Sequence, residues 1–539
     1  MTPFSHIALT LSGGGFRAAA YSLGVLSYLH ELGILKDVKS ISSVSGGSFT
    51  ALKYFQMKAD GQTFGQFYDE MYKSLDENKM HIKAIENLNS GKVWKKTEYA
   101  HKRRNLINSF ALVYDDFLKR KTLGDLMKKK SSLPELICNA TDMTHANQFR
   151  FKVSNGNRGK FGNGHVAKLD EELIKQVKLG DMLAASSCFP GGFEPISFPN
   201  DFFNETVRPL MDEIGLMDGG IINNQGLNQY IIRKKQPDLI IASDVESFNI
   251  KEPFKFTDNS TFSKYFKKVA NVWTLIILTI STVILFKYNI GFLVWILNYV
   301  FSIELIFIIL ILPWLFGYIA SLLLILHLGI FIAFRKAKKA SGMPVFVQFS
   351  SSRYGNYLND RANSLYQLAL NVFLKNNRRM GYDMAYKSQV GQDYEKVAMV
   401  AIYDLEKHNK VIQEIADDDM EKSSQESKWS KMIKLFPQLE PNDGMIGIAK
   451  QASEFGTTLW FDEKEKNNVP KDKMINKLIT VGRMTTCFVL IKYVLSHELN
   501  NKFKREDVPF YNKMTEDWIT FKNNPFHGMK LDKDIHSKK

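Results

Sequence analysis

The chain has 539 residues and a formal net charge of +15, a length that admits one large domain with additions. Its three cysteines, Cys138, Cys188 and Cys487, exclude a disulfide framework and a cysteine metal site, and they fit a reducing compartment. No charged start followed by an apolar run and cleavage site opens the chain, so no signal peptide is expected.

The first elements form a strand, turn and helix. His6 to Leu11 reads as a short buried strand. Gly13, Gly14 and Gly15 follow, and three glycines let the backbone turn tightly and aim several N–H groups at one point. A helix is predicted from Phe16 to Leu32, capped by Gly33. Arg17 lies just inside it, placed to brace the loop or to meet an anionic headgroup. A plain tight turn or a phosphate loop would use the same glycines, but no G-x-x-x-x-G-K-[ST] pattern is present.

The pattern repeats about 30 residues on. Val38 to Val44 reads as a second strand, followed by Ser45, Gly46 and Gly47 and a helix from about Phe49. This approximates the G-x-S-x-G elbow, in which a strained turn lifts a serine hydroxyl clear of the sheet. Ser43 stands at the first glycine position. A third glycine-rich turn, Asp218-Gly219-Gly220, ends an apolar stretch and supplies a candidate base for Ser45, although D-G turns are common in any fold.

Three elements in this order resemble the patatin-like phospholipases, known for G-G-G-x-R, G-x-S-x-G and D-G-[GA]. The stretch Ala184 to Pro195 and the block Leu136 to Asp142 are also similar to that family. The resemblance covers about residues 5–245 and continues more faintly at Asn377 to Tyr382. It implies a three-layer α/β/α core and a catalytic dyad without histidine. Ser45 would attack an ester carbonyl, and Asp218 would take its proton and later pass it to the leaving alcohol. The N–H groups of Gly13, Gly14 and Gly15 would hold the oxyanion. Arg17, Gly46 and Gly219 would support the loops or the substrate. No metal or other cofactor is expected. Ser43 and Ala18 depart from the family pattern. A histidine triad is the rival, but the next three histidines after Asp218 (His327, His408 and His497) lie in apolar, charged or helical surroundings.

Residues 269–334 carry only two formal charges, Lys287 and Glu304, and offer room for two or three membrane spans. Lys264, Lys267 and Lys268 precede the stretch, and Arg335, Lys336, Lys338 and Lys339 follow it. Both ends are therefore expected in the cytoplasm, with two spans the preferred division. The expected domains are a catalytic core over 1–250, with a helical cap or lid at 50–130, then a transmembrane insertion at 265–340. The catalytic domain would continue over 341–505, with a strand at Met343 to Ser350, before a polar tail at 506–539.

Lys92 to Arg104 and Leu118 to Lys130 are basic and interleaved with aromatics. Anionic headgroups are a better partner for them than nucleic acid, given the spans, and no nucleic-acid partner is expected. The resulting expectation is an integral membrane protein with a cytoplasmic catalytic domain, hydrolysing membrane phospholipids or lysophospholipids at an anionic bilayer surface. A neutral-lipid lipase or acyltransferase with the same dyad is one alternative, and a catalytically inactive lipid-binding scaffold is another.

Overall fold

The computed structural model describes residues 4–77, 79–154, 161–166, 169–231, 237–246, 364–365, 367–368, 372–386, 396–407, 436–456 and 473–529. One unit comprises Met1–Ile250 and Leu370–Lys539, and a second comprises Lys251–Ala369. The transmembrane stretch 269–334 and the expected strand Met343 to Ser350 lie outside the described residues.

The strands of the first unit form an eight-stranded sheet. They are β1 (Ile7–Leu11), β2 (Val38–Val44), β3 (Glu135–Asp142), β4 (Asn147–Val153), β5 (Ile196–Phe198), β6 (Ile214–Asp218), β7 (Leu239–Asp244) and β8 (Val397–Ala401). Their order is β5-β6-β3-β2-β1-β7-β8, with β4 paired to β3. From β3 to β8 the neighbours run parallel, whereas β4 and β6 are antiparallel to β3. Every residue of β1, β3, β7 and β8 is buried, as strands covered on both faces require. β8 follows the second unit, and its apolar run Val397–Ala401 is a strand signal that the sequence reading passed over.

The helices of the first half are α1 (Gly15–Glu31), α2 (Gly46–Ala59), α3 (Phe64–Glu77), α4 (Met80–Asn89), α5 (Leu106–Phe117), α6 (Leu123–Lys128), α7 (Glu171–Gln176), α8 (Leu179–Ser186), α9 (Gly220–Asn223) and α10 (Asn228–Ile231). Those of the second half are α11 (Phe373–Tyr386), α12 (Asp404–Lys407), α13 (Asp443–Glu454), α14 (Met474–Leu499) and α15 (Tyr511–Asn523). The second helix starts at Gly46, directly after Ser45, rather than near Phe49. Glycine is a poor helix former, and here the close approach of another turn overrides its propensity.

α14 is long and apolar enough to cross a membrane by length and composition, yet its apolar window is 89% buried within the molecule. It crosses α1 where Gly24 meets Gly482. A Cβ on Gly24 would lie 3.1 Å from Gly482 Cα and would overlap the Ile479 carbonyl. Two glycines thus let the helix backbones touch.

The polar tail expected at 506–539 is corrected over its described part. α15 buries Tyr511, Met514, Trp518 and Phe521. Trp518 Nε1 donates to Gln438 O at 3.1 Å, and Tyr28 donates to Asp517 Oδ2 at 3.1 Å. The polar residues between these anchors mask a helical apolar stripe.

Candidate active site

The two glycine turns leave the ends of adjacent parallel strands, β1 and β2. That end of an open α/β sheet is where such folds hold ligands. In the first turn, Gly14 has φ 140° and Gly15 φ 59°, values that L-residues rarely adopt. In the second, Ser45 itself has φ 51° and ψ −120°. A non-glycine residue in that region is strained, and the strain carries its hydroxyl off the strand end. The turns interlock: a Cβ on Gly46 would overlap the Gly15 carbonyl, and one on Gly47 would overlap the Leu11 carbonyl.

The third turn is brought to the other two by register. Val44 pairs with Asn139 on β3, and the next residue of β3, Ala140, pairs with Asp218. Asp218 is held by main-chain bonds on both sides: its N–H donates to Cys188 O at 2.9 Å, and its carbonyl accepts from Thr141 Oγ1 at 2.8 Å. Its carboxyl faces the Ser45 side chain and accepts from Gly220 N at 2.7 Å. Burial pushes its pKa up to about 6 against the restraint of the Ser45 side chain and the Gly220 N–H, and the Glu246 charge adds to the rise. Gly219 packs so closely that a Cβ there would lie 2.5 Å from Asn139 O.

The glycine loop departs from expectation at one position. Gly13 N–H donates to Asn224 O at 3.1 Å, so it is not aimed at a common point with its neighbours. The N–H groups of Gly14, Gly15 and Gly46 have no acceptor among the described residues. Gly14 caps α1, and Gly15 and Gly46 open α1 and α2, so all three are orphan donors at helix N-termini.

Arg17 braces and does not face outward. It is 3% exposed, and its guanidinium donates to Phe455 O at 2.5 Å and to Ser453 O at 3.3 Å. The alternative of meeting an anionic headgroup is thereby corrected. Burial lowers its pKa.

Beneath the elbow lies a polar network that sequence reasoning missed. Ser45 N–H donates to Ser186 Oγ at 2.9 Å, Ser186 bonds Ser48 at 2.9 Å, and Ser48 donates to Ser43 Oγ at 3.0 Å. Asn139 Nδ2 donates to Ser42 Oγ at 3.0 Å and to Ser43 O at 2.9 Å. Ser43, the residue in place of the elbow glycine, is fully buried within this network. The sequence signal was β2 itself, V-K-S-I-S-S-V, which is polar for a buried strand and needs such partners. Of the histidines weighed against the dyad, His497 bonds Tyr493 O at 2.8 Å near the end of α14. His327 and His408 lie outside the described residues.

A strained serine, a buried carboxyl beside it and orphan N–H donors nearby form a set suited to acyl transfer. Residues 9–230 match the model of the patatin-like phospholipase family, so the chain carries a patatin-like phospholipase domain on a mixed α/β sheet. A match to that family suggests a lipid acyl hydrolase. Among solved structures, human GIVD cytosolic phospholipase A2 is similar at 14% identity and a TM-score of 0.31. The match covers 45% of this chain and 43% of that one, less than half its length, and is too partial to bear on substrate or mechanism. No curated protein matches the chain.

Proposed function

We propose that the protein is a membrane-anchored serine hydrolase of lipid esters, acting through a Ser45–Asp218 dyad on phospholipids or lysophospholipids. The observation that carries this reading is the strand register that sets the strained Ser45 beside a buried Asp218 whose pKa is raised to about 6. A carboxylate so tuned is a far better base than one in water, and it still ionises at neutral pH. Ser45 Oγ attacks the ester carbonyl while its proton passes to Asp218. The tetrahedral oxyanion sits against the N–H groups of Gly14, Gly15 and Gly46. Collapse expels the alcohol, which takes the proton from Asp218, and water then releases the acid by the same exchange.

The core is read as a three-layer α/β/α sandwich, interrupted by a transmembrane hairpin within 265–340 that holds it at the cytoplasmic leaflet. The apolar run 269–334 and its flanking lysines and arginines support the anchor. The exposed Lys79, Lys83, Lys92, Lys95 and Lys96, which have no ion-pair partner among the described residues, support an anionic bilayer surface as partner. A neutral-lipid lipase or acyltransferase would use the same dyad.

Fluorophosphonate labelling of the detergent-solubilised protein tests the dyad. Wild type is expected to label, and Ser45→Ala and Asp218→Asn are expected to lose labelling by at least about 100-fold. Labelling retained in Ser45→Ala would sink the assignment.

A further inference from the structure

Resting on the Ser–Asp reading above, we propose that Arg378 is a positioning residue for the dyad. Through its ion pair with Glu246 it holds Asn224, and so keeps the glycine turn and Asp218 in mutual register. The two members of the pair stand at the two ends of the chain around the second unit, after β7 and within α11.

The linkage is continuous. Arg378 is fully buried, and its guanidinium bridges two carboxylates, donating to Glu246 Oε2 at 2.6 Å and to Asp244 Oδ1. Glu246 Oε2 also accepts from Asn224 Nδ2 at 3.3 Å. Asn224 in turn touches both halves of the site. Its carbonyl takes the Gly13 N–H at 3.1 Å, and its side-chain Oδ1 fills the space where Gly13 and Gly220 would otherwise carry a Cβ. Gly220 is the residue whose N–H bonds Asp218. α11 adds two further holds on the same turn: Asn377 Nδ2 donates to Ile221 O, and Gln225 Nε2 donates to Arg378 O at 3.4 Å.

The residue types fit the task. A planar guanidinium can serve two carboxylates at once in fixed directions, which an ammonium cannot. Removing one partner of a buried pair leaves a charge with no counterpart. Here the carboxylates left behind would be Asp244 and Glu246, and Asp218 senses Glu246. The other groups facing the dyad carboxyl are Ser45, the Gly220 N–H and the thiols of Cys138 and Cys188. Those around the pair are Arg17 on α1, Lys375 on α11, Asp244 on β7 and Tyr403 after β8.

The full-length, detergent-solubilised protein is assayed for fluorophosphonate labelling rate and p-nitrophenyl ester hydrolysis across the acid limb. Arg378→Met is expected to move that limb upward by roughly half a pH unit, because unpaired Glu246 opposes ionisation of Asp218. Glu246→Gln should move it downward, and the double variant should bring it back toward wild type. Arg378→Lys should keep the wild-type limb but label more slowly. Opposed shifts cannot come from loosened packing, which would degrade both single variants alike. Equal-signed shifts, or unshifted limbs at wild-type rates, would overturn the role. If Arg378→Met does not fold, the direction of the Glu246→Gln shift decides. Absence of labelling in folded wild type would instead overturn the Ser–Asp reading, and this role with it.

Discussion

Ser45 and Asp218 are each held in a state that folding alone would not select. Ser45 occupies a backbone region that costs about 1–3 kcal/mol for a residue with a side chain. Asp218 is 5% exposed, and burial raises its pKa from the ordinary 3.8 to about 6. The sign of the second effect is definite. The folded protein binds the proton more tightly than the unfolded chain, so this contribution to stability is fully present below pH about 4 and is lost as pH rises through about 6. Above that pH the ionised carboxylate costs about 2–3 kcal/mol. Asp218→Asn is therefore expected to be inactive yet more stable than wild type at pH above about 7, by about 1–3 kcal/mol, with the gain vanishing in acid. Denaturant melts at the two pH values check it, and a variant less stable at both would contradict the burial argument. By the same reasoning, ester hydrolysis by wild type should fall below pH about 6.

At the scale of elements, glycine pairs decide how closely segments approach. The turn after β2 packs onto the turn after β1 only because Gly46 and Gly47 lack side chains. The same device recurs between α1 and α14 at Gly24 and Gly482, away from the dyad. A Cβ at Gly482 would overlap the Tyr21 carbonyl, and backbone on both sides cannot yield cheaply. Gly482→Ala should destabilise the protein by about 1–3 kcal/mol while leaving the labelling rate per folded molecule unchanged. Thermal melting and labelling measured on one preparation separate the two effects. A melting temperature equal to wild type would show that the helices separate without cost.

For the whole molecule, the first unit is assembled from sequence on both sides of the second unit. β8 completes the sheet beside β7, α14 lies against α1, and α15 locks onto α1 and α14 through the Tyr28–Asp517 bond and the Cys487 Sγ–Met514 O contact at 3.2 Å. Replacing 269–334 by a short linker is expected to release the protein from membranes and to preserve fluorophosphonate labelling. Flotation of the variant with membranes would place the anchor elsewhere. Loss of labelling with the fold intact would show that the apolar stretch shapes the site.

The three turns were legible because their chemistry is local. Glycine at positive φ, a serine directly after a strand and an aspartate before two glycines leave marks in consecutive residues, and the strand beneath the first turn follows from the apolar run of β1. The direction of each group did not leave such a mark. That Gly13 N–H turns to Asn224, that Gly46 N–H finds no acceptor among the described residues, and that Arg17 reaches Ser453 and Phe455 depend on residues brought in from far along the chain. The pKa of Asp218 is likewise a property of burial and of Glu246, neither of which its own sequence neighbourhood contains. Local backbone preference and residue type thus marked the three turns and the groups proposed to carry the chemistry. Packing, which alone sets distance, orientation and dielectric, decided how they are held and tuned.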